Sequence, residues 1–197
     1  MRRWGIALAA LTLAGAGLAA TAGTAGAATT SRTAKAAAEA CATRWGSGDR
    51  TAQATDHKPL ANIRAGQHEC YDRLVFDVKG GTTAEPTGYR VGYVDAMYQD
   101  GSGDPIAVGG GAILEIRVAA TSYDTGTGAE TYPGRAGKTL PGVDVTGYRT
   151  FRDTRYGASF EGETQIGLGV RARLPFRVFQ SGDHLIVDVA HSWATAR

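Results

Sequence analysis

Three groups of residues have types and spacings that could carry chemistry. Glu161 and Glu163 stand at i and i+2, which on one strand face sets the carboxylates roughly 7 Å apart. That separation suits the acid and base of an inverting glycoside hydrolase, which need room for a water between them. Acidic neighbours on a solvated strand face have the same spacing, so a hydrolase of wall or polysaccharide using Glu161 or Glu163 is the alternative reading. Ser181, Asp183 and His184 are the right types for nucleophilic catalysis. Three residues inside one tight turn cannot align as nucleophile, base and orienter, and no Gly-x-Ser-x-Gly elbow follows a strand elsewhere. They read as a hairpin turn. No catalytic residue is nominated, and the chain is expected not to be an enzyme.

Metal and phosphate chemistry fare no better. Asp100-Gly101-Ser102-Gly103-Asp104 opens like a calcium loop, but Pro105 stands where glycine is needed and Gly111 where a bidentate Glu belongs. Gly109-Gly110-Gly111 leads into a strand-like run, so it lacks the helix N-terminus that holds phosphate. His68-x-Cys70 does not have the ligand spacing of zinc motifs, which argues against a site built from His57, His68, Cys41 and Cys70. No metal and no cofactor are expected.

The third group is rich in arginine. Arg171, Arg173 and Arg177 share one parity, while Ala172, Leu174, Phe176 and Val178 share the other. If the strand direction survives Pro175, one face is core and the other a row of guanidinium groups. Arg149, Arg152 and Arg155 lie upstream with Tyr148 and Tyr156. Guanidinium and aromatic groups together can hold an anionic glycan or wall polymer through bidentate hydrogen bonds and stacking. The same spacing also serves simply to solubilise a face or guard a sheet edge. Tyr123 and Tyr132 sit in a connection from Thr121 to Thr146, about 26 residues with little periodicity, a length uncommon unless the loop is functional or mobile. Arg171, Arg173, Arg177, Tyr123 and Tyr132 are therefore the candidate ligand contacts.

The elements that must position these groups are strands. From Pro59 onward, apolar and polar residues alternate with a period of two between Gly, Pro and Asp turns. Leu74, Phe76 and Val78 oppose Arg73, Asp77 and Lys79; Tyr89, Val91 and Tyr93 repeat the pattern, as do Leu114, Ile116 and Val118. Further segments are Leu60 to Ala65, Tyr148 to Asp153, Ser159 to Glu163, Gln165 to Ala172, Pro175 to Gln180 and His184 to His191. The expected fold is all-β, an antiparallel sandwich or partly closed barrel of about 8–9 strands.

Upstream, Arg2 and Arg3, an apolar run from Gly5 to Ala20 and Ala25-Gly26-Ala27 form the three parts of a secretory signal peptide, residues 1–27. The run falls short of the roughly 20 residues that span a bilayer, and no later segment approaches that length, so no membrane span is expected after cleavage. No cysteine stands at the cleavage point to take a lipid. Residues 28–58 read as a flexible Ala-rich lead-in and 59–193 as the β domain. In an exported chain Cys41 and Cys70 should pair as a disulfide. Closing a loop of about 30 residues, it is worth roughly 3 to 4 kcal/mol in the chain-entropy model. Overall the chain holds 21 Lys+Arg against 19 Asp+Glu. The excess lies in Arg2 and Arg3, so the mature part is formally neutral, which argues against nucleic acid as a partner. Any bound anion must be held by local arrangement.

Six blocks carry a family resemblance: Arg73-Leu74-Val75-Phe76-Asp77-Val78, Tyr89-Arg90-Val91-Gly92-Tyr93-Val94-Asp95, Phe160-Glu161-Gly162, Gly167-Leu168-Gly169-Val170, Pro175-Phe176-Arg177-Val178-Phe179 and Leu185-Ile186-Val187-Asp188-Val189. In order and spacing, over about Pro59 to Trp193, they resemble the AMIN-like domain of secreted bacterial envelope proteins. The resemblance implies a compact β-sandwich that targets proteins to the envelope through peptidoglycan, without chemistry of its own. It implies a cell-wall glycan or anionic wall polymer as ligand, with an envelope protein as a further partner. Wall amidases carry their zinc hydrolase domain after such a module, whereas this chain stops at Arg197, so hydrolytic activity is not carried over. A protein-protein accessory or inhibitor module is another alternative. The expected location is secreted, extracellular or cell-wall associated.

Overall fold

A computed structural model describes Cys41 and residues 44–53 and 57–193. The expected signal peptide and most of the Ala-rich lead-in lie outside the described residues. The described chain forms twelve strands: β1 (Arg50–Ala52), β2 (Lys58–Gln67), β3 (Tyr71–Val78), β4 (Tyr89–Val94), β5 (Met97–Tyr98), β6 (Pro105–Ile106), β7 (Ala112–Val118), β8 (Ala120–Thr121), β9 (Phe151–Phe160), β10 (Glu163–Val170), β11 (Phe176–Ser181) and β12 (His184–Ala190). One sheet has the order β1-β4-β7-β10-β9 and the other β11-β12-β3-β2-β8, with β5 and β6 forming a separate hairpin. All pairings are antiparallel except the short parallel contact of β2 with β8. The architecture is the all-β sandwich that period-two alternation implies.

Alternation decides which face each strand buries. Leu114, Ile116 and Val118 of β7 and Ile166, Leu168 and Val170 of β10 turn inward, to meet Leu74 and Phe76 of β3 and Leu185, Val187 and Val189 of β12. All eleven are sealed from solvent, and burying such side chains stabilises by about 1.5–3 kcal/mol each. β10 is covered on its second face as well. A Cβ on Gly169 would collide with the Gly109 carbonyl, and one on Gly167 with the Met97 sulfur. Glycine at these positions lets the β5-β6 hairpin and the segment 107–111 after it lie close on the first sheet.

The segments expected separately at Tyr148–Asp153 and Ser159–Glu163 are replaced by one strand, β9, with a turn at Glu161 and Gly162. Its inward side chains include Thr154 and Tyr156, polar types that hide the buried face from a hydropathy pattern. The long connection also has a definite task. Tyr132 and Leu140 enter the core, Gly137 N–H donates to Tyr156 O at 2.8 Å, and Tyr156 N–H donates to Lys138 O at 2.9 Å. The loop thus covers part of the outer edge of β9, where unpaired backbone groups would otherwise invite another chain.

The stretch read as a lead-in contributes to both sheets. Gly46 O accepts Phe176 N–H at 2.9 Å on the edge of β11, and a few residues later Arg50–Ala52 pair with Tyr89–Val91 on the edge of β4. Residues 44–52 therefore form a strap from one sheet to the other. At its root Cys41 and Cys70 form a disulfide with their Cα atoms 4.9 Å apart.

Candidate functional site

The register places Arg177, Asp188 and Arg73 directly opposite one another across β11, β12 and β3. Their parity is that of the outer face of the second sheet. Asp188 is fully buried there because the two arginines close over it. Arg73 binds it with two parallel bonds, Nε to Oδ1 at 2.6 Å and Nη2 to Oδ2 at 2.9 Å. Arg177 approaches from the other side, Nε to Oδ2 at 2.8 Å. Its hydrogen bonds to Asp188 raise the Arg73 pKa, against the opposing pull of burial. Two guanidinium groups sharing one carboxylate leave a local charge of about +1 on this face.

Aromatic rings hold the arginines in place. The Arg177 guanidinium carbon stands 4.4 Å from the centroid of Trp45, 4.8 Å from Phe179 and 5.5 Å from Tyr71. Arg73 lies 5.2 Å from Tyr71 and 5.5 Å from Phe179. Stacked, bidentate guanidinium groups are oriented before any ligand arrives, which lowers the ordering cost of binding. The Arg177 side chain keeps 40% of its surface exposed, so part of its hydrogen-bonding edge faces solvent.

Of the arginines expected to form a row, Arg177 alone reaches this face. After β10 the chain bends through residues 171–173 and buries Leu174, so strand direction does not survive Pro175. Arg171 turns to the His191 carbonyl. Arg173 donates to the Ser47 carbonyl at 3.3 Å and stacks on Tyr93 at 5.0 Å. Tyr132, expected at a contact surface, is instead a core residue, 2% exposed, with its hydroxyl donating to Pro141 O at 3.1 Å. Tyr123 is exposed and bridges to Glu130 within the long connection. Upstream, Arg149 and Arg152 donate to backbone carbonyls, and Arg155 pairs with Asp153 at 2.9 Å.

Other groups separate similarly. Ser181 and His184 close the β11-β12 hairpin, and His184 Nδ1 faces Asp77 Oδ1 at 2.8 Å. Asp100 sits in the β5-β6 turn and pairs with Arg117. Glu161 stands in the β9-β10 turn while Glu163 opens β10, so the two carboxylates do not share a strand face. Among the described residues no group of His, Cys, Asp or Glu is placed to hold a metal ion, and no helix is long and apolar enough to cross a membrane.

Sequence reasoning missed Asp188, Arg73 and Trp45. A signal existed for Asp188, a lone carboxylate inside the apolar run Leu185 to Val189, since a charge on a buried strand needs a partner. Trp45 left none, because a strap from outside the β domain brings it there.

A family model of the AMIN-like domain matches residues 58–191. No curated protein and no solved structure matches the chain. The matched region runs from β2 to the residue after β12 and contains the sandwich with its Arg73–Asp188–Arg177 cluster, and by that match the chain belongs to the AMIN-like domain family.

Proposed function

We propose that this protein is an exported, non-catalytic module that binds a polymer of the bacterial cell wall, peptidoglycan or an anionic wall polymer, through the outer face of its second sheet. Membership of the AMIN-like family supports the coarse part of this reading, an envelope-associated module without enzymatic activity. The observation that carries the finer part is the paired guanidinium array of Arg73 and Arg177, anchored on a buried Asp188 and stacked on Trp45, Tyr71 and Phe179. Guanidinium groups held this way offer two-pronged hydrogen bonds to carboxylate or phosphate, and the neighbouring rings offer faces to sugar.

Arg177 is the contact we place first; Arg173, held at Ser47 and Tyr93, and Tyr123, in the long connection, lie off this face and are weaker candidates. Arg171 is assigned a structural task at the His191 carbonyl.

Co-sedimentation with purified cell-wall sacculi tests the reading. The wild type should pellet with sacculi at low salt and be released as salt rises, because exposed charge pairs are screened within about 8–10 Å. Arg177→Ala should lose most of that retention with its unfolding temperature little changed, since Arg73 alone still pairs Asp188 in two-pronged fashion. Equal retention of wild type and Arg177→Ala rules out the face, and no retention of the wild type rules out wall binding.

A further inference from the structure

The outer face of the first sheet carries a second, chemically different depression. It has a volume of about 350 Å3 and lies where β4, β7 and the β9-β10 turn meet the β5-β6 hairpin, with Arg90, Arg117, Asp100, Glu161 and Glu163 around it. Its floor is fully braced. Arg117 is held by Asp100 and by Glu115, the latter at 3.3 Å. Gln165, 1% exposed, donates to Glu115 Oε1 at 2.7 Å and to Tyr98 O at 2.8 Å, and accepts the Asp100 N–H at 3.0 Å. Planar polar groups locked in this way present fixed donors and acceptors.

One wall is aromatic. Phe160 is 46% exposed, and its ring rests on the backbone at Gly101, where a Cβ would come within 3.3 Å of it. One ring face is thus supported and the ring keeps open surface above the cavity. Tyr98, 56% exposed, stands on the same hairpin. The lip is strained. Glu161, at φ 49°, is the sole non-glycine residue with positive φ among the described residues, a conformation costing roughly 1–2 kcal/mol. Glu161 and Gly162, at φ 86°, are the two central residues of the β9-β10 hairpin, whose two-residue turn takes positive φ at both, and the Glu161 carboxylate makes no hydrogen bond or ion pair in the described structure. Asn, Asp or Gly is the usual first residue of such a turn, so a glutamate there is the departure.

We propose that this cavity binds a pyranose unit of a glycan that carries no negative charge. The C–H face of the sugar stacks on Phe160, its hydroxyls meet the braced Asp100 and Arg117, and Glu161 accepts a hydroxyl, amide or ammonium hydrogen at the rim. Charge sets the selectivity. Three carboxylates line the cavity against two guanidinium groups, and both of those are already paired, Arg117 with Asp100 and Arg90 with Glu163 at 3.7 Å. The excess of one carboxylate over the guanidinium groups disfavours an anionic sugar there. The site is independent of the arginine face, which belongs to the other sheet.

Calorimetric titration of the exported protein with four hexamers tests this: N-acetylglucosamine, glucosamine, galacturonate and lysine. The first two distinguish an acetamido from an amine sugar, and binding of either supports the site. Galacturonate and lysine hexamers should not bind. Phe160→Ala should weaken sugar binding about tenfold, the worth of one aromatic contact. Glu161→Gly should weaken it while raising the unfolding temperature, because glycine relieves the positive φ; a turn residue without a ligand role would show the second effect alone. Arg177→Ala should leave sugar binding unchanged. Failure of both sugars to bind, equal binding of galacturonate or lysine hexamer, wild-type affinity in Phe160→Ala, or loss in Arg177→Ala each overturns the proposal.

Discussion

Asp72 and Asp188 are both fully buried carboxylates on the same pair of strands, and their partners give them different tasks. Asp188 faces outward and aims two arginines at solvent. Asp72 has the opposite parity and ties the molecule inward. Its Oδ2 accepts the N–H groups of Thr150 at 2.6 Å and Phe151 at 3.0 Å, and its Oδ1 meets His191 Nε2 at 2.9 Å. One side chain therefore joins β3, the start of β9 and the end of β12. Asp72→Ala leaves two buried N–H donors and the Nε2 of the buried His191 ring without a partner, and urea unfolding should show a loss of about 3–5 kcal/mol. Asp72→Asn, whose amide oxygen still accepts both N–H groups, should lose less. A second residue-scale effect follows from Tyr132. Burial raises its pKa above the ordinary phenol value, and the neighbouring Tyr156 adds to the rise. With the folded pKa above the unfolded one, this contribution to stability is complete below about pH 10 and falls as pH rises through the folded value. Thermal unfolding should therefore drop in temperature above about pH 10, and the drop should be shallower in Tyr132→Phe.

At the scale of elements, legibility in the sequence followed whether the face of a strand was written in hydropathy. β7 alternates, β3 and β12 carry longer apolar stretches, and all three stand close to where the hydropathy pattern predicts them. β9 was misread as two pieces because it buries Thr154 and Tyr156. The arginine row failed for a related reason: parity is meaningful only along a continuous strand, and residues 171–173 bend before Pro175. Hydrogen bonds between backbone groups far apart in sequence leave no local trace, so the covering of β9 by the long connection could not be read. That connection now predicts its own phenotype. Leu140, 2% exposed, pins the loop against the core. Leu140→Ala should cost about 2–5 kcal/mol and loosen the cover over β9. Light scattering at rising concentration should then show self-association that the wild type lacks, since an uncovered edge strand pairs with other chains.

For the molecule as a whole, the strap links stability to the two proposed binding faces unequally. Residues 44–52 touch the β11 edge through Gly46 and the β4 edge through β1, and they carry Trp45 to the arginine face. The Cys41–Cys70 disulfide fastens the strap at its root, a sequence separation of 29 residues. Its removal in Cys41→Ser/Cys70→Ser should cost roughly 3 to 4 kcal/mol through the unfolded chain alone. The native state should change as well, because every strap residue is half-buried or exposed and none is fully buried, which puts the strap at the low-stability end of the structure. Amide exchange at Phe176 N–H, which depends on Gly46 O, should accelerate more than exchange within β7 or β10. Trp45 fluorescence should shift as the ring leaves Arg177 and Tyr71. The variant should then lose retention on sacculi while its affinity for the uncharged sugar hexamer stays near wild type, because Phe160, Arg117 and Asp100 of that cavity stand on β9, β7 and the β5-β6 hairpin, and only Arg90 stands on the strand that β1 pairs. Equal loss at both sites would mean that the strap supports the whole sandwich and not the arginine face in particular.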